Sequence, residues 1–322
     1  MTRVLVTGAT GFVGSALIER LRQSGVDVAA TIRDTSRALR LPSGVPHFVL
    51  DLARADQLDP SALEGIDCIV HLAAQVHLLH PSAEQHADYL LKNAMATESL
   101  ARCAVRAGVR RFVFLSSIKV NGERTISAPF RADDRPNAED EYGRSKLVAE
   151  RALQKVALET GLEVTIIRPP LVYGIGVRAN FLRLLQIVDR RVPLPIASIR
   201  NARSMISVWN LCDLLERVIN HPAACGVWLA SDGRDLSTPE VITMLGQAMQ
   251  RRLRLVACPV PLLKIMTSVI GMRAEFERLT SSLQVDVTET CQRLQWRPPL
   301  TVEEGFSRTV EWYLSSYANR AQ

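Results

Sequence analysis

Short apolar runs alternate with amphipathic stretches through the first half of the chain. The runs are rich in valine, isoleucine and leucine, which is typical of strands buried in a parallel sheet. They predict strands at residues 3–7, 26–32, 47–50, 66–72, 111–116 and 163–168. Apolar positions with helical spacing predict helices at residues 12–24, 82–107 and 142–160. This alternation predicts an α/β fold, a doubly wound parallel sheet with helices on both faces.

The pattern changes after Arg168-Pro169-Pro170. The segments become shorter, prolines are frequent and the helical patterns are interrupted. We therefore predict a large α/β domain at residues 1–170 and a smaller, discontinuous substrate-binding lobe at residues 171–322, with some of its segments returning to the large domain.

A glycine-rich turn joins the first predicted strand to the first predicted helix. Gly8 permits the tight turn, Gly11 lets the backbone approach a pyrophosphate, and Gly14 lets helix and strand pack closely. Since strand, glycine turn and helix follow in the order that a dinucleotide fingerprint requires, residues 1–170 are predicted to bind NAD(P). The candidate cofactor residues here are Thr7, Gly8, Thr10, Gly11, Phe12, Val13 and Gly14.

The end of the second predicted strand bears on the choice between NAD and NADP. Enzymes that prefer NAD usually place a carboxylate there, for the ribose 2′-hydroxyl. Here Ile32 is followed by Arg33, with Arg37 one turn beyond, and an arginine can bind a 2′-phosphate. This favours NADP(H), with NAD(H) as the alternative. A shift of one residue in the register would return a carboxylate, Asp34, to the position, and Arg33 would then be a solvated charge.

Composition narrows the class of protein. A hydrophobic fraction of 47% and a charged fraction of 22% are typical of globular proteins. The net charge of +6 shows no basic stripe, so we expect an anionic small molecule as partner and not a nucleic acid. The apolar stretch at residues 256–272 contains two prolines and a lysine and is too short to span a bilayer, so no membrane insertion is expected. Six scattered cysteines and the absence of a signal sequence predict a cytoplasmic location.

A tyrosine, a lysine and a serine form the candidate catalytic group. Lys146 follows Tyr142 by four residues, on the same helical face, where its charge can stabilise a phenolate that otherwise forms only near pH ~10. Ser117 follows a buried strand at the sheet edge where α/β folds bind ligands. If the strand continues, Ser117 and Lys119 point to one face. The alternative reading makes the serines strand-end caps and the helix simply amphipathic.

The motifs together resemble an extended short-chain dehydrogenase/reductase of the NAD-dependent epimerase/dehydratase superfamily, which has a Rossmann fold. They are Thr7-Gly8-x-x-Gly11-x-x-Gly14, Asp51-Leu52, His71-Leu72-Ala73-Ala74, Asn93, Ser116-Ser117, Tyr142-x-x-x-Lys146 and Arg168-Pro169-x-x-Val172-Tyr173-Gly174. The resemblance implies that Ser117, Tyr142 and Lys146 are catalytic. It implies further cofactor contacts at Asp51, Leu52, Leu72, Ala73, Ala74, Asn93, Tyr142, Lys146 and Pro169. It implies substrate contacts at Val76, Ser117, Lys119, Asn180, Arg203 and Arg278, and a homodimer formed through the two long helices.

The run from Ser116 to Glu123 resembles bacterial enzymes that reduce a UDP-4-keto-6-deoxy-N-acetylhexosamine in O-antigen synthesis, the quinovosamine-forming 4-reductases. The leading hypothesis is therefore an NADP(H)-dependent UDP-sugar 4-ketoreductase in surface polysaccharide biosynthesis. The alternative is a UDP-N-acetylglucosamine or UDP-glucose 4-epimerase with tightly bound NAD. Ile118 and Lys119 stand where related dehydratases carry an acid pair, which argues against dehydration.

Two classes outside nucleotide-sugar chemistry remain open. One is a protein that senses NADP without catalysis, although such proteins typically lose the tyrosine or lysine that this chain retains. The other is a reductase of a non-sugar ketone, against which Asn180 and Arg203 argue as diphosphate contacts. Histidines 71, 77, 80 and 86 cluster in the sequence without recognised ligand spacing, so no metal site is expected.

Overall fold

The computed structural model describes residues 2–73, 83–269 and 273–317. In these residues the strands are β1 (Arg3–Thr7), β2 (Asp27–Ile32), β3 (His47–Val49), β4 (Cys68–His71), β5 (Arg111–Leu115), β6 (Glu163–Arg168), β7 (Leu171–Tyr173), β8 (Met205–Ser207) and β9 (Gly226–Leu229). The helices are α1 (Phe12–Gln23), α2 (Ala83–Arg106), α3 (Glu141–Thr160), α4 (Ala179–Asp189), α5 (Val208–Asn220), α6 (Thr238–Ala248), α7 (Val260–Val269), α8 (Arg273–Thr280), α9 (Thr288–Arg293) and α10 (Val302–Tyr317). Short 3₁₀ turns occupy Thr35–Arg40, Leu52–Gln57, Pro60–Leu63 and Ile118–Val120.

The main sheet is parallel throughout, in the order β3-β2-β1-β4-β5-β6-β9. Each strand predicted from the sequence is present, with its ends within two residues of the prediction, and the α/β fold class is confirmed. The strand order reverses between β1 and β4. At such a point the crossover connections leave a crevice at the carboxyl ends of the strands, where open α/β sheets bind their ligands.

Helices cover both faces of the sheet, as the continuous apolar strands require. In β1, Val4 and Val6 face a core that includes Leu17 of α1 and Leu215 of α5. Leu5 points the other way, into a second core built largely from α2 and α3. Alternate residues of each strand therefore pack against the helices on opposite faces of the sheet. The carboxyl ends of the strands, between these two helical layers, remain available for a binding site.

Segments after residue 170 extend the main sheet and also build a separate core. β9 pairs with β6 at the sheet edge, and α5 packs against α1. β7 and β8 form their own two-stranded sheet. Beside them, Tyr173 stacks on Phe181 with ring centroids 5.5 Å apart and meets the edge of Phe306 at 4.8 Å. The division at residue 170 remains a prediction. Within the described ranges, no helix combines the length and the apolar character needed to cross a membrane.

Candidate active site

The glycine turn after β1 is shaped by close backbone contacts. Gly8 has a φ of +70°, and a Cβ on it would lie 2.8 Å from the backbone N of Ala73. A Cβ on Gly14 would lie 2.2 Å from the carbonyl oxygen of Gly8. A larger residue at position 8 would push the turn away from the backbone that follows β4, and one at position 14 would push α1 away from the turn.

The start of α1 is open to an anion. Gly11 caps the helix without a side chain, and the first turn carries no acidic residue. The first backbone N–H groups of a helix have no partner within it and carry a partial positive charge. Because the predicted contacts Thr10, Phe12 and Val13 lie at this end, the residues present fit the pyrophosphate of a dinucleotide.

We predict that Gly14→Ala abolishes dinucleotide binding. The added Cβ would overlap the Gly8 carbonyl at 2.2 Å and push α1 away from the turn. The affinity for NAD(H), measured by calorimetry, should fall by a factor on the order of 100 or more, since the helix N-terminus contributes only when it is closely positioned. The matched control Ser15→Ala changes the next residue, which is exposed, and should bind as the wild type does. Unchanged affinity in Gly14→Ala would contradict this account of the loop.

A buried histidine ties β4 to the glycine turn. The Thr7 hydroxyl lies 2.7 Å from His71 Nδ1 and accepts a hydrogen bond from the Ala73 backbone N at 3.2 Å. His71 Nε2 lies 3.2 Å from the Thr97 hydroxyl. Burial lowers the pKa of His71 to about 3, so the ring is neutral and serves as a hydrogen-bonding spacer. The backbone of Leu72 and Ala73 is thereby fixed beside the predicted cofactor position.

Three predicted contacts cannot be placed. Ala74 and Val76 lie outside the described residues, as does the side chain of Asn93. In the described part of the chain, no group of three or more His, Cys, Asp or Glu side chains could hold a metal ion. His77 and His80 lie outside that part.

The end of β2 lies where the sequence predicted it. β2 ends at Ile32, and Arg33 is exposed. Arg37 forms an ion pair with Asp34, its Nε 3.2 Å from the carboxylate. Hydrogen bonding from Ser36, followed by the charge of Arg37, lowers the pKa of Asp34, so this carboxylate is ionised and paired. At the neighbouring strand end, Leu52 is buried and begins the 3₁₀ turn that follows Asp51.

The strand predicted at residues 111–116 is confirmed to within one residue, but it does not continue through Lys119. β5 ends at Leu115, and Ser117 caps the 3₁₀ turn Ile118–Val120, its hydroxyl accepting from the Lys119 backbone N at 3.3 Å. The backbone N of Ile118 donates to the carbonyl of Pro169 at 3.0 Å, which joins this turn to the end of β6. The alternation of apolar residues predicts the strand but cannot predict that the Ser117 side chain will cap a short turn, because this depends on a local hydrogen bond.

The beginning of α3 is fastened to this turn. The carboxylate of Asp140 caps the helix and accepts a hydrogen bond from the Gly143 backbone N at 2.7 Å. Lys119 Nζ pairs with Asp140 and, at 3.1 Å, with Glu123. A Cβ on Gly143 would lie 2.6 Å from the Lys119 carbonyl oxygen, so helix and turn touch at the backbone. The ion pairs hold the Tyr142 helix against Ser117, and the substrate contact at Lys119 stays a prediction.

Lys146 lies buried between Tyr142 and the end of β5. Its Nζ donates to the Leu115 carbonyl at 2.8 Å and lies 4.6 Å from the Phe114 ring centroid and 5.9 Å from that of Tyr142. Burial lowers the pKa of Lys146 to about 8, while the Glu150 carboxylate opposes this shift. Burial also raises the pKa of Tyr142 to about 12, with the charge of Asp140 acting in the same direction.

We predict that kcat/KM falls as the pH rises through about 8. Lys146 is protonated below that pH, and above it the site loses the cation that favours a tyrosinate. The pH profile of Lys146→Arg should lack this basic limb, because arginine stays charged. The control Lys155→Arg, an exposed position on the same helix, should keep it. A wild-type profile that stays flat well above this pH would contradict the role given to Lys146.

Behind these residues lies a buried network that the sequence analysis did not find. The Glu150 carboxylate accepts from the Ser116 hydroxyl and pairs with Arg168, whose Nε lies 3.0 Å from it. Arg168 Nη1 also donates to the Asn121 side-chain oxygen at 3.0 Å. The network joins α3, β5, β6 and the Ser117 turn. A carboxylate four residues beyond Lys146, on the buried face of α3, was the available signal.

Three of the predicted substrate residues, Asn180, Arg203 and Arg278, lie in the second half of the chain. Asn180 is exposed in the first turn of α4. Arg203 Nη1 donates to the carbonyls of Arg278 at 2.9 Å and Ser281 at 3.0 Å, at the end of α8. Arg278 itself is exposed. The structure therefore brings Arg203 and Arg278 together, with the Arg203 guanidinium partly engaged by backbone.

Comparison with known protein families identifies the relatives of this chain. Residues 4–226 match the NAD dependent epimerase/dehydratase family. The chain belongs to this family. A curated member from Vibrio cholerae, named UDP-glucose 4-epimerase, is 39% identical over 318 residues, which cover 97% of this chain and 96% of the relative.

Solved structures of two epimerases share the fold over nearly the full length. The UDP-glucose 4-epimerase of Thermotoga maritima, solved with UDP-glucose, has a TM-score of 0.78 at 21% identity and covers 98% of this chain and 99% of its own. The UDP-glucuronic acid 4-epimerase of Bacillus cereus, solved with NAD, has a TM-score of 0.78 at 20% identity and covers 98% of this chain and 100% of its own. At these identities the structures establish the common fold.

Proposed function

We propose that this protein is a UDP-sugar 4-epimerase that inverts the hydroxyl-bearing carbon 4 of a UDP-hexose or UDP-N-acetylhexosamine. The observation that carries the proposal is the position of Lys146 between Tyr142 and the end of β5, beside the Ser117 turn. This group can move a proton to and from a sugar hydroxyl. The similarity to the Vibrio cholerae relative, which is named UDP-glucose 4-epimerase and matches over nearly the whole length, supports epimerisation as the reaction.

The glycine turn, the start of α1 and the backbone after β4 would hold NAD(H). In the Bacillus cereus epimerase this dinucleotide is bound. When bound, it supplies a carbon that accepts and returns hydride and, in its oxidised form, a positive ring charge. The close backbone approach at Gly8 and Gly14 supports this assignment. The large domain, residues 1–170, would hold the cofactor, and residues 171–322 the sugar nucleotide.

Tyr142 would act as the acid/base. As a phenolate, it would take the proton of the carbon 4 hydroxyl while that carbon loses hydride and becomes a ketone, and it would return the proton when the ketone regains hydride on its opposite face. Without a bound cofactor, burial raises the pKa of Tyr142 to about 12, so forming the Tyr142 phenolate near neutral pH requires added positive charge nearby. Lys146 supplies part of that charge below pH about 8. Ser117 would orient the sugar oxygen by a hydrogen bond.

A second candidate is net reduction of a UDP-4-keto-6-deoxy-N-acetylhexosamine with NADPH in O-antigen synthesis. The observation that favours it is the exposed Arg33 directly after β2, where a carboxylate would select NAD. The same group would serve, with Tyr142 donating a proton to the alkoxide that forms at carbon 4. Arg37 is a weaker support, because it is paired with Asp34.

One pair of assays decides between the two. The purified protein is incubated, without added cofactor, with UDP-glucose and separately with UDP-N-acetylglucosamine, and the galacto epimers are measured by NMR. In parallel, NADPH oxidation is followed with the 4-keto-6-deoxy sugar nucleotide. Epimer formation without NADPH oxidation supports the first proposal. NADPH oxidation without epimer formation supports the second, and activity in neither assay contradicts both.

We also propose a cytoplasmic homodimer formed through α2 and α3. Exposed apolar side chains on these helices support it, with Met95 61% and Leu158 89% accessible. A stable interface would remove such side chains from water. Light scattering that gives the mass of a single chain at micromolar concentration would overturn this proposal.

A further inference from the structure

The positive charge of this protein is concentrated in two segments of its second half. Residues 178–200 and 250–264 contain nine of the 39 basic residues and one of the 33 acidic residues. They therefore carry a net charge of +8, and the remainder of the chain carries −2. The overall net charge of +6 does not reveal this separation.

The two segments lie side by side. The backbone N of Leu194 donates to the Arg254 carbonyl at 3.0 Å, and the backbone N of Val256 donates to the Leu194 carbonyl at 2.9 Å. Their one acidic residue, Asp189, forms an ion pair with Arg251 at 3.1 Å. The two segments thus form one continuous surface, which we call the basic surface, and its internal carboxylate is already neutralised.

Both arginines and aliphatic side chains are exposed on the basic surface. On α4, Arg183 and Ile187 are exposed and lie one turn apart, with Arg190 at the end of the helix. The exposed arginines of the second segment are Arg252 and Arg254. The exposed aliphatic residues are Ile187 (38% accessible), Val192 (43%), Val256 (52%) and Leu262 (49%). Cationic and apolar groups therefore reach solvent together.

This combination selects the partner. Single-stranded nucleic acid is usually held by aromatic stacking in addition to basic residues. The only aromatic residue of the two segments, Phe181, is buried. Anionic phospholipid bilayers attract clusters of arginine through their headgroup charge and accept aliphatic side chains at the boundary between headgroups and acyl chains. The chemistry of the basic surface matches a lipid headgroup layer.

We propose that the basic surface docks this protein on anionic phospholipid membranes, as a peripheral contact that requires no spanning helix. The contact goes beyond the proposed epimerisation and does not depend on it. Because Asn180 and Arg183 lie on consecutive turns of α4, docking would hold the substrate-binding lobe close to the membrane surface.

The test is co-sedimentation of the full-length protein with vesicles of phosphatidylglycerol and phosphatidylcholine. The triple variant Arg190→Gln, Arg252→Gln, Arg254→Gln removes three exposed charges from the basic surface. The matched control Arg22→Gln, Arg124→Gln, Arg151→Gln removes three exposed charges elsewhere. A third variant, Val256→Ser with Leu262→Ser, keeps the charge and removes the apolar contacts. The turnover of a UDP-sugar is measured for each variant without vesicles, so that folding and docking are read separately.

The wild type should bind the anionic vesicles and leave neutral phosphatidylcholine vesicles unbound, and binding should be lost in about 0.5 M NaCl. The basic-surface triple variant should bind on the order of 100-fold more weakly, about fivefold for each arginine, while the control stays near wild type. The serine variant should bind several-fold more weakly at the same charge. Equal losses in both triple variants would overturn the proposal, as would preferential binding to an RNA competitor with no vesicle binding.

Discussion

Tyr142→Phe is expected to lower kcat by roughly 10³-fold, the usual size of a general acid/base contribution. The substitution removes only the phenol oxygen and keeps the ring beside Lys146, whose Nζ lies 5.9 Å from the ring centroid. Since that oxygen is the proposed proton carrier for the carbon 4 hydroxyl, both the forward and the reverse reaction should fall together. Initial rates of epimer formation in the two directions measure this.

The affinity for NAD(H) should change much less, by less than about tenfold, because the glycine turn and α1 remain intact. Tyr317→Phe, at the last residue of α10, serves as the matched control and should keep wild-type activity. If Tyr142→Phe retains more than about a tenth of wild-type kcat, another group carries the proton and the assignment of Tyr142 fails.

Arg168→Met is expected to destabilise the fold by about 3–5 kcal/mol, because it leaves the buried Glu150 carboxylate without its cation. Arg168 and Glu150 are both nearly inaccessible to water, so solvent cannot replace the lost partner. The free energy of unfolding in urea measures the effect. The control is Arg110→Met, which breaks an exposed pair with Glu163 at 3.3 Å and should cost less than about 1 kcal/mol.

The double variant Arg168→Met, Glu150→Met separates the lost pairing from lost packing. When both charges are removed, much of the stability should return, since no unpaired charge remains in the core. A double variant as unstable as the single one would show that the cost lies in packing. A single variant within about 1 kcal/mol of wild type would contradict the view that this network is dry and tightly paired.

The strands could be predicted because their signal is local. Apolar runs such as residues 111–115 and 163–168 are bounded by polar residues, and each became a strand at nearly the predicted ends. The glycine turn was also predictable, because its glycines follow a strand at the spacing of a dinucleotide fingerprint. The structure explains this spacing, since the close approach of Gly8 to Ala73 and of Gly14 to Gly8 allows no side chain at these positions. Spacing along the chain was enough in these cases.

The rest of the site depends on contacts between residues far apart in sequence. Glu150 lies in α3, Arg168 ends β6 and Ser116 follows β5, and no periodicity links the three residues. The family resemblance predicts a substrate contact at Lys119. Its ion pair with Asp140 could not be predicted, because it depends on how the loop before α3 returns to the end of β5. The basic surface could not be predicted for a similar reason, because residues 178–200 and 250–264 are far apart in sequence. They come together in the fold through the pairing of Leu194 with Leu255 and the ion pair of Asp189 with Arg251.

We propose that this site oxidises and re-reduces carbon 4 of one bound sugar nucleotide. The most direct measurement uses UDP-glucose and, separately, UDP-N-acetylglucosamine, each carrying deuterium at carbon 4, incubated with the purified protein without added cofactor. We predict a galacto epimer that retains its deuterium at carbon 4, because the hydrogen removed from that carbon returns to the same carbon. Epimer that has exchanged this deuterium for solvent hydrogen, or a complete absence of epimer, would contradict the account.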